Sequence, residues 1–212
     1  MRFTLMLLAD SNGRKKEPFI VMKNPISKVP ETLQENVAIR HGFGKHLFKE
    51  VQQLMIKHRC QIYSNENGWF TSNILCKWLR FYFWFNTTPK LLLLDDFGAH
   101  KTEEVMQTAA SLHVHIFLIP PGLTAVCQPA DISWLKPLKA SIRLCWTRQV
   151  METLSGTQLV ELKQPSRDNV VGWICECWNY LSVETIKSGF KDYVEGIAVV
   201  QAKKKSTLHY YA

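Results

Sequence analysis

Four leucines, residues 91–94, run directly into Asp95 and Asp96, and no other stretch narrows the fold so far. A short apolar run bounded by polar residues reads as a buried strand. A helix follows: Thr102 stands at the N-cap position, and Glu103 and Glu104 fill a first turn that favours negative charge. A second apolar strand, Val114–Ile119, ends at Pro120, Pro121 and Gly122. Strand, helix and strand within about thirty residues predict a βαβ unit whose parallel strands are buried on both faces. Ligands bind such sheets at the carboxyl ends of the strands. Asp95 falls at that end of the first strand, and Asp131 follows the loop that leaves the second, at the start of a further predicted helix. Two carboxylates are thereby expected at one rim of one sheet.

The residues around them resemble a known family. Leu92-Leu93-Leu94-Asp95-Asp96 with His100 close behind, then Pro120-Pro121-Gly122-Leu123-Thr124, then Gln128-Pro129-Ala130-Asp131, then Lys136 and Lys139, are similar to the core of the pogo/Tigger-type transposases. These belong to the mariner group of the DDE superfamily. Asp96 stands where that family usually carries Asn, and the gap between Asp95 and Asp131 is close to the family's own. The resemblance implies an α/β, ribonuclease-H-like domain: a mixed sheet flanked by helices, followed by C-terminal helices. It also implies metal-dependent cleavage and transfer of DNA strands, with Asp95 and Asp131 as catalytic residues that hold Mg2+ or Mn2+. Lys136, Lys139 and Arg143 are the expected DNA contacts, and the nucleus is the expected location.

Phosphodiester cleavage by in-line displacement puts charge on the attacking and the leaving oxygen, and two cations about 3.5–4 Å apart stabilise both. Carboxylates are the ligands that Mg2+ and Mn2+ prefer. A lone Asp at a strand end is more often a turn or capping residue. Two such residues inside two ordered motifs favour a metal-holding origin. Family members carry a further catalytic Asp on a strand ahead of the one that reads Phe3 to Ala9 here, so that strand and its Asp are expected upstream of Met1. The candidate nearest to it, Asp10, sits in Asp10-Ser11-Asn12-Gly13, where turn geometry alone explains it. The sequence therefore leaves two readings open: a DDE endonuclease domain with an incomplete site, or a catalytically inactive, domesticated module that binds nucleic acid or protein.

Composition agrees with a packed domain. Hydrophobic residues make up 46% of 212, and aromatic residues 11%. No apolar run approaches the length of a membrane span. The six cysteines have no C-x-x-C spacing and read as reduced thiols. A net charge of +8 suits a polyanionic partner such as DNA. Homo-oligomer formation is left open.

One domain is expected over residues 1–200, with 23–58 as a divergent or inserted segment and 201–212 as a basic tail. It opens with a hairpin, Phe3 to Ala9 returning through Pro18 to Met22, whose flanking Lys15 and Lys16 read as solvated. Pro25 and Pro30 argue against early helix, although Phe48, Val51, Leu54 and Met55 recur at helical spacing. Residues 60–63 are expected as a short strand. A helix from Thr71 or Ser72 to Phe85 places Ile74, Leu75, Trp78, Leu79 and Tyr82 on one face. Its aromatic cluster reads as core rather than as a base-stacking platform. The helix after Asp131 runs to about residue 153, with Pro137 kinking it or marking its start. Lys136, Lys139 and Arg143 share one face of it, either solvated or set against phosphates. Further helices carry Val170, Val171, Ile174 and Trp178, then Ile186 and Phe190, inward.

Overall fold

The computed structural model describes residues 2–155 and 164–191. The expected basic tail, and the break expected at Gly156, lie outside these residues. The chain is a mixed α/β protein that divides into two compact units. Its strands form two sheets among the described residues, not one.

The first unit comprises residues 1–8, 15–74 and 138–180. Strand β1 (Phe3–Met6) pairs antiparallel with β2 (Phe19–Lys23), in register from Phe3 opposite Met22 to Met6 opposite Phe19. The turn follows the expected chemistry: Gly13 has φ +83°, and Asp10 Oδ1 accepts from the backbone N–H groups of Asn12 (3.0 Å) and Arg14 (2.9 Å). Asp10 is accordingly a turn residue. Strand β3 (Gln61–Asn65) pairs with β2 in parallel, which requires a crossover between them. Helices α1 (Pro30–Ile39) and α2 (Lys45–His58) supply it. Pro30 thus opens a helix instead of preventing one, because the first helical position has no N–H bond to lose.

Central position explains why Phe19, Ile20, Val21 and Met22 of β2 are all buried, whereas β3 alternates. One face joins Ile20, Met22 and Ile62 to Val51 and Leu54 of α2 and to Val171 and Ile174 of α7 (Arg167–Tyr180). On the sheet, Phe19 stacks on Tyr63 (4.8 Å) and His41 stacks on the same ring (4.0 Å). Helix α7 is tied at both ends. Asp168 takes Lys57 (2.6 Å) and His58 (2.6 Å), and Gly172 gives the His58 ring room. At the far end Lys15 Nζ donates to the carbonyl oxygens of Trp178 (2.8 Å) and Asn179 (2.6 Å), while Trp178 Nε1 donates to the Lys16 carbonyl (2.8 Å). Lys15 is therefore a helix C-terminal cap, not a solvated loop cation.

Of the described residues, 9–14, 75–137 and 181–191 form the second unit. Strands β4 (Lys90–Asp95) and β5 (Val114–Ile119) pair in parallel, from Lys90 opposite Val114 to Asp95 opposite Ile119. Helix α4 (Glu103–Ser111) connects them, as the βαβ reading requires. Thr102 holds its N-cap position with no side-chain capping bond. Helix α3 (Ser72–Phe83) buries Ile74, Leu75, Trp78 and Leu79. Thr108 of α4 donates to Cys76 Sγ on α3 at 3.4 Å. Burial on both strand faces does not hold: Leu92 and Leu94 are buried, but Leu91 is 67% exposed. The aromatic cluster is likewise split, with Trp78 buried and Trp84 and Phe85 exposed. Helix α5 is the short Thr124–Cys127. A π-helical turn, Ala130–Trp134, leads into α6 (Leu135–Ser155), so the α register starts two residues ahead of Pro137. All six cysteines are free thiols, and Cys145 and Cys177 approach to 3.8 Å between sulfurs.

Gly42 has φ +91°, and a Cβ there would run into the carbonyl oxygen of Ser64. Gly42→Ala must therefore displace the backbone beside β3. A loss of about 1–3 kcal/mol is expected, read as a lower midpoint in urea unfolding.

Candidate active site

Asp95 is the last residue of β4, and the pairing sets it opposite Ile119 at the end of β5. Immediately after it the chain makes a single 3-10 turn, Gly98–Lys101, that folds His100 back under the strand end. His100 is 7% exposed. Its Nδ1 lies 3.0 Å from the Asp95 carbonyl oxygen and 2.7 Å from Asp95 Oδ1. Both are acceptors, so Nδ1 carries the proton. The edge of the ring meets Phe97 at 5.5 Å. One buried imidazole thus bonds the backbone of Asp95 and stands close against its carboxylate.

The hydrogen bond from His100 holds the Asp95 carboxyl below its ordinary range and outweighs the opposing effect of partial burial. Asp96 turns to Lys101, at 2.6 Å, so the charge that replaces the family's usual Asn is neutralised within the same turn. The same end of the sheet leads on to the second carboxylate. Pro120, Pro121 and Gly122 (φ +78°) end β5, α5 follows, and Asp131 then lies exposed in the π turn.

That turn is anchored against the last described helix, residues 183–191. Trp134 Nε1 donates to the Ile186 carbonyl (3.1 Å), Ser133 Oγ donates to the Thr185 carbonyl (2.8 Å), and the Trp134 and Phe190 rings meet at 5.7 Å. Gly189 permits the approach, since a Cβ there would come within 2.5 Å of the Pro129 carbonyl oxygen. Ser133, Trp134 and Gly189 escaped the sequence reading. A glycine between the inward-facing Ile186 and Phe190 was the available sign, because helices keep glycine where another backbone comes close.

Asp95, Asp131 and Lys136 fall in the same unit, whereas Lys139 and Arg143 lie further along α6, in the other. Asp131, Lys136, Lys139 and Arg143 are all exposed. The donors Asp95 and Asp131 are hard oxygens suited to Mg2+ or Mn2+. Among the described residues no three His, Cys, Asp or Glu side chains converge as a ligand group.

The strand-end aspartate, its buried histidine and the second aspartate lie in the motifs that resemble the DDE transposases, and a family match spans them. Residues 1–190 match the family described as DDE superfamily endonuclease, and the chain belongs to that family. The chain also has relatives named as pogo elements. It is 27% identical over 201 residues to a human protein described as pogo transposable element with KRAB domain, and 26% identical over 201 residues to the mouse protein of the same description. The matches take in 90% of this chain but 28% of each relative, so the chain spans little more than a quarter of their length. No solved structure matches.

Replacing His100 with Phe removes the donor that depresses Asp95. A folded carboxyl with a depressed value contributes stability above its unfolded value and loses it as pH falls through the folded one. His100→Phe should therefore move the Asp95 carboxyl 13C titration up toward the ordinary carboxylate range and flatten the acid limb of the stability curve. An unchanged titration would remove His100 as the cause.

Proposed function

We propose that this chain is the metal-holding part of a ribonuclease-H-like DDE endonuclease that acts on DNA in the nucleus. The observation that carries the reading is the presence in one unit of two aspartates on positioned turns: Asp95, beside buried His100, and Asp131, in a turn pinned by Ser133 and Trp134. The DDE assignment and the pogo-type relatives support the same chemistry.

When bound, divalent cations stabilise the charge that develops on the attacking and leaving oxygens of a phosphodiester. The chain's own part is to hold and orient. Asp95 and Asp131 would be the protein ligands. His100 limits the orientations open to Asp95, which reduces what must be ordered on binding. Lys101 keeps the additional charge of Asp96 engaged. Lys136, Lys139 and Arg143, spaced along one face of α6, would meet phosphate oxygens and position a duplex without reading its sequence.

Calorimetric titration with Mn2+ tests the carboxylates. The chain should bind the ion, and the Asp95→Ala, Asp131→Ala double variant should not. Equal heats from both proteins would leave a DDE fold without its metal chemistry, and the reading would pass to a non-enzymatic interaction module.

The helix face is tested independently by salt. Changing Lys136, Lys139 and Arg143 to Gln should weaken binding to unrelated duplexes uniformly and reduce the slope of log K against log[salt] by about one for each phosphate contact removed. An unchanged slope would place the duplex elsewhere.

A further inference from the structure

Helix α6 is 21 residues long, yet among its described side chains Leu138 alone reaches full burial. Its inner side meets the rest of its unit through Ile142 at the core, Cys145 near Cys177, and Trp146 against Trp173 at 6.3 Å. The outward side is not simply polar. Leu144 is 65% exposed, Met151 66% and Leu154 52%. With Leu144 at a heptad a position, Met151 is the next a, and Ala140, Thr147 and Leu154 are the d positions. The exposed apolar residues therefore form one continuous seam, the pattern of a surface that packs against another helix.

Charge indicates what kind of helix. In this register Arg143 is a g residue and Arg148 an e residue, so the seam is bordered by cations on both sides. Glu152, the one acidic residue of α6, occupies a b position away from the seam. A second copy of α6 is a poor partner. Paired in parallel, Arg143 of one chain would face Arg148 of the other, and paired antiparallel, each arginine would face its own counterpart. A phosphate backbone would satisfy the arginines but leaves Leu144, Met151 and Leu154 nothing to bury against.

We infer that the outer face of α6, over residues 140–154, is a docking surface for an acidic amphipathic helix of a partner protein. Such a helix would carry aliphatic residues facing Leu144, Met151 and Leu154, and glutamates facing Arg143 and Arg148. The surface shares Arg143 with the proposed phosphate contacts, but the inference does not rest on the proposed function.

The probe is a fluorescein-labelled synthetic helix of about three heptads, with Leu at a and d and Glu at e and g, titrated by anisotropy with the whole chain. A second peptide carries Lys in place of Glu. The acidic peptide should bind about tenfold more tightly than the basic one. Leu144→Ser with Met151→Ser should weaken it about tenfold with an unchanged circular dichroism spectrum. Arg143→Glu with Arg148→Glu should reverse the preference between the two peptides, which a folding defect would not do. Equal affinity for both peptides would overturn the inference, as would binding indifferent to the serine substitutions. Two further results would reassign the face: a dimer in sedimentation that those serines dissolve, or duplex affinity lost with them.

Discussion

The hydrogen-bonded register of β4 and β5, with Asp95 level with Ile119, determines where every later part of the candidate site can be. Parallel strands end at the same level, so the chain that leaves Ile119 begins beside the carboxylate that ends β4. What remains is to position each aspartate, and the structure places the two turns by unrelated means. Asp95 is held from within its own turn, by a histidine five residues on. Asp131 is held from a distance, by a helix some fifty residues later that accepts hydrogen bonds from Ser133 and Trp134.

The first unit solves a different problem. A three-stranded sheet with one antiparallel and one parallel pairing must bury its middle strand on both faces, and β2 contributes four consecutive apolar residues to that end. Helices α2 and α7 cover one side with aliphatic groups. Tyr63 collects aromatic neighbours, Phe19 and His41. His41 itself has φ +54° and is followed by Gly42 at +91°, so the close approach to β3 is made by two successive left-handed residues. Backbone conformation, as much as side-chain volume, sets that packing.

Local chemistry was the legible part of the sequence. The strand character of the leucine run, the Asn12-Gly13 turn and the apolar positions of α3 and α7 each depend on residues close together in the chain, and the structure bears them out. Pro30 misled because its effect depends on position: it forbids a helix interior and favours a helix start. Lys15 misled because its partners, the last carbonyls of α7, are remote in sequence. The division into two sheets was hidden for the same reason, since pairing between distant strands leaves no periodic trace. Exposure of Leu91 shows the converse limit. An apolar run reports that a surface prefers to be covered, not that it is.

The contact between Lys15 and the end of α7 joins positions 163 residues apart. Chains are made from the N-terminus, and domains settle as they emerge. Here the β1–β2 hairpin leaves the ribosome long before Val171, Ile174 and Trp178 exist to cover it. Until then the first sheet waits with part of its apolar face open, so the nascent chain depends on whatever shields it during that interval. A stop codon ahead of Arg167 would remove α7 and make that waiting state permanent, whatever the condition of the aspartates.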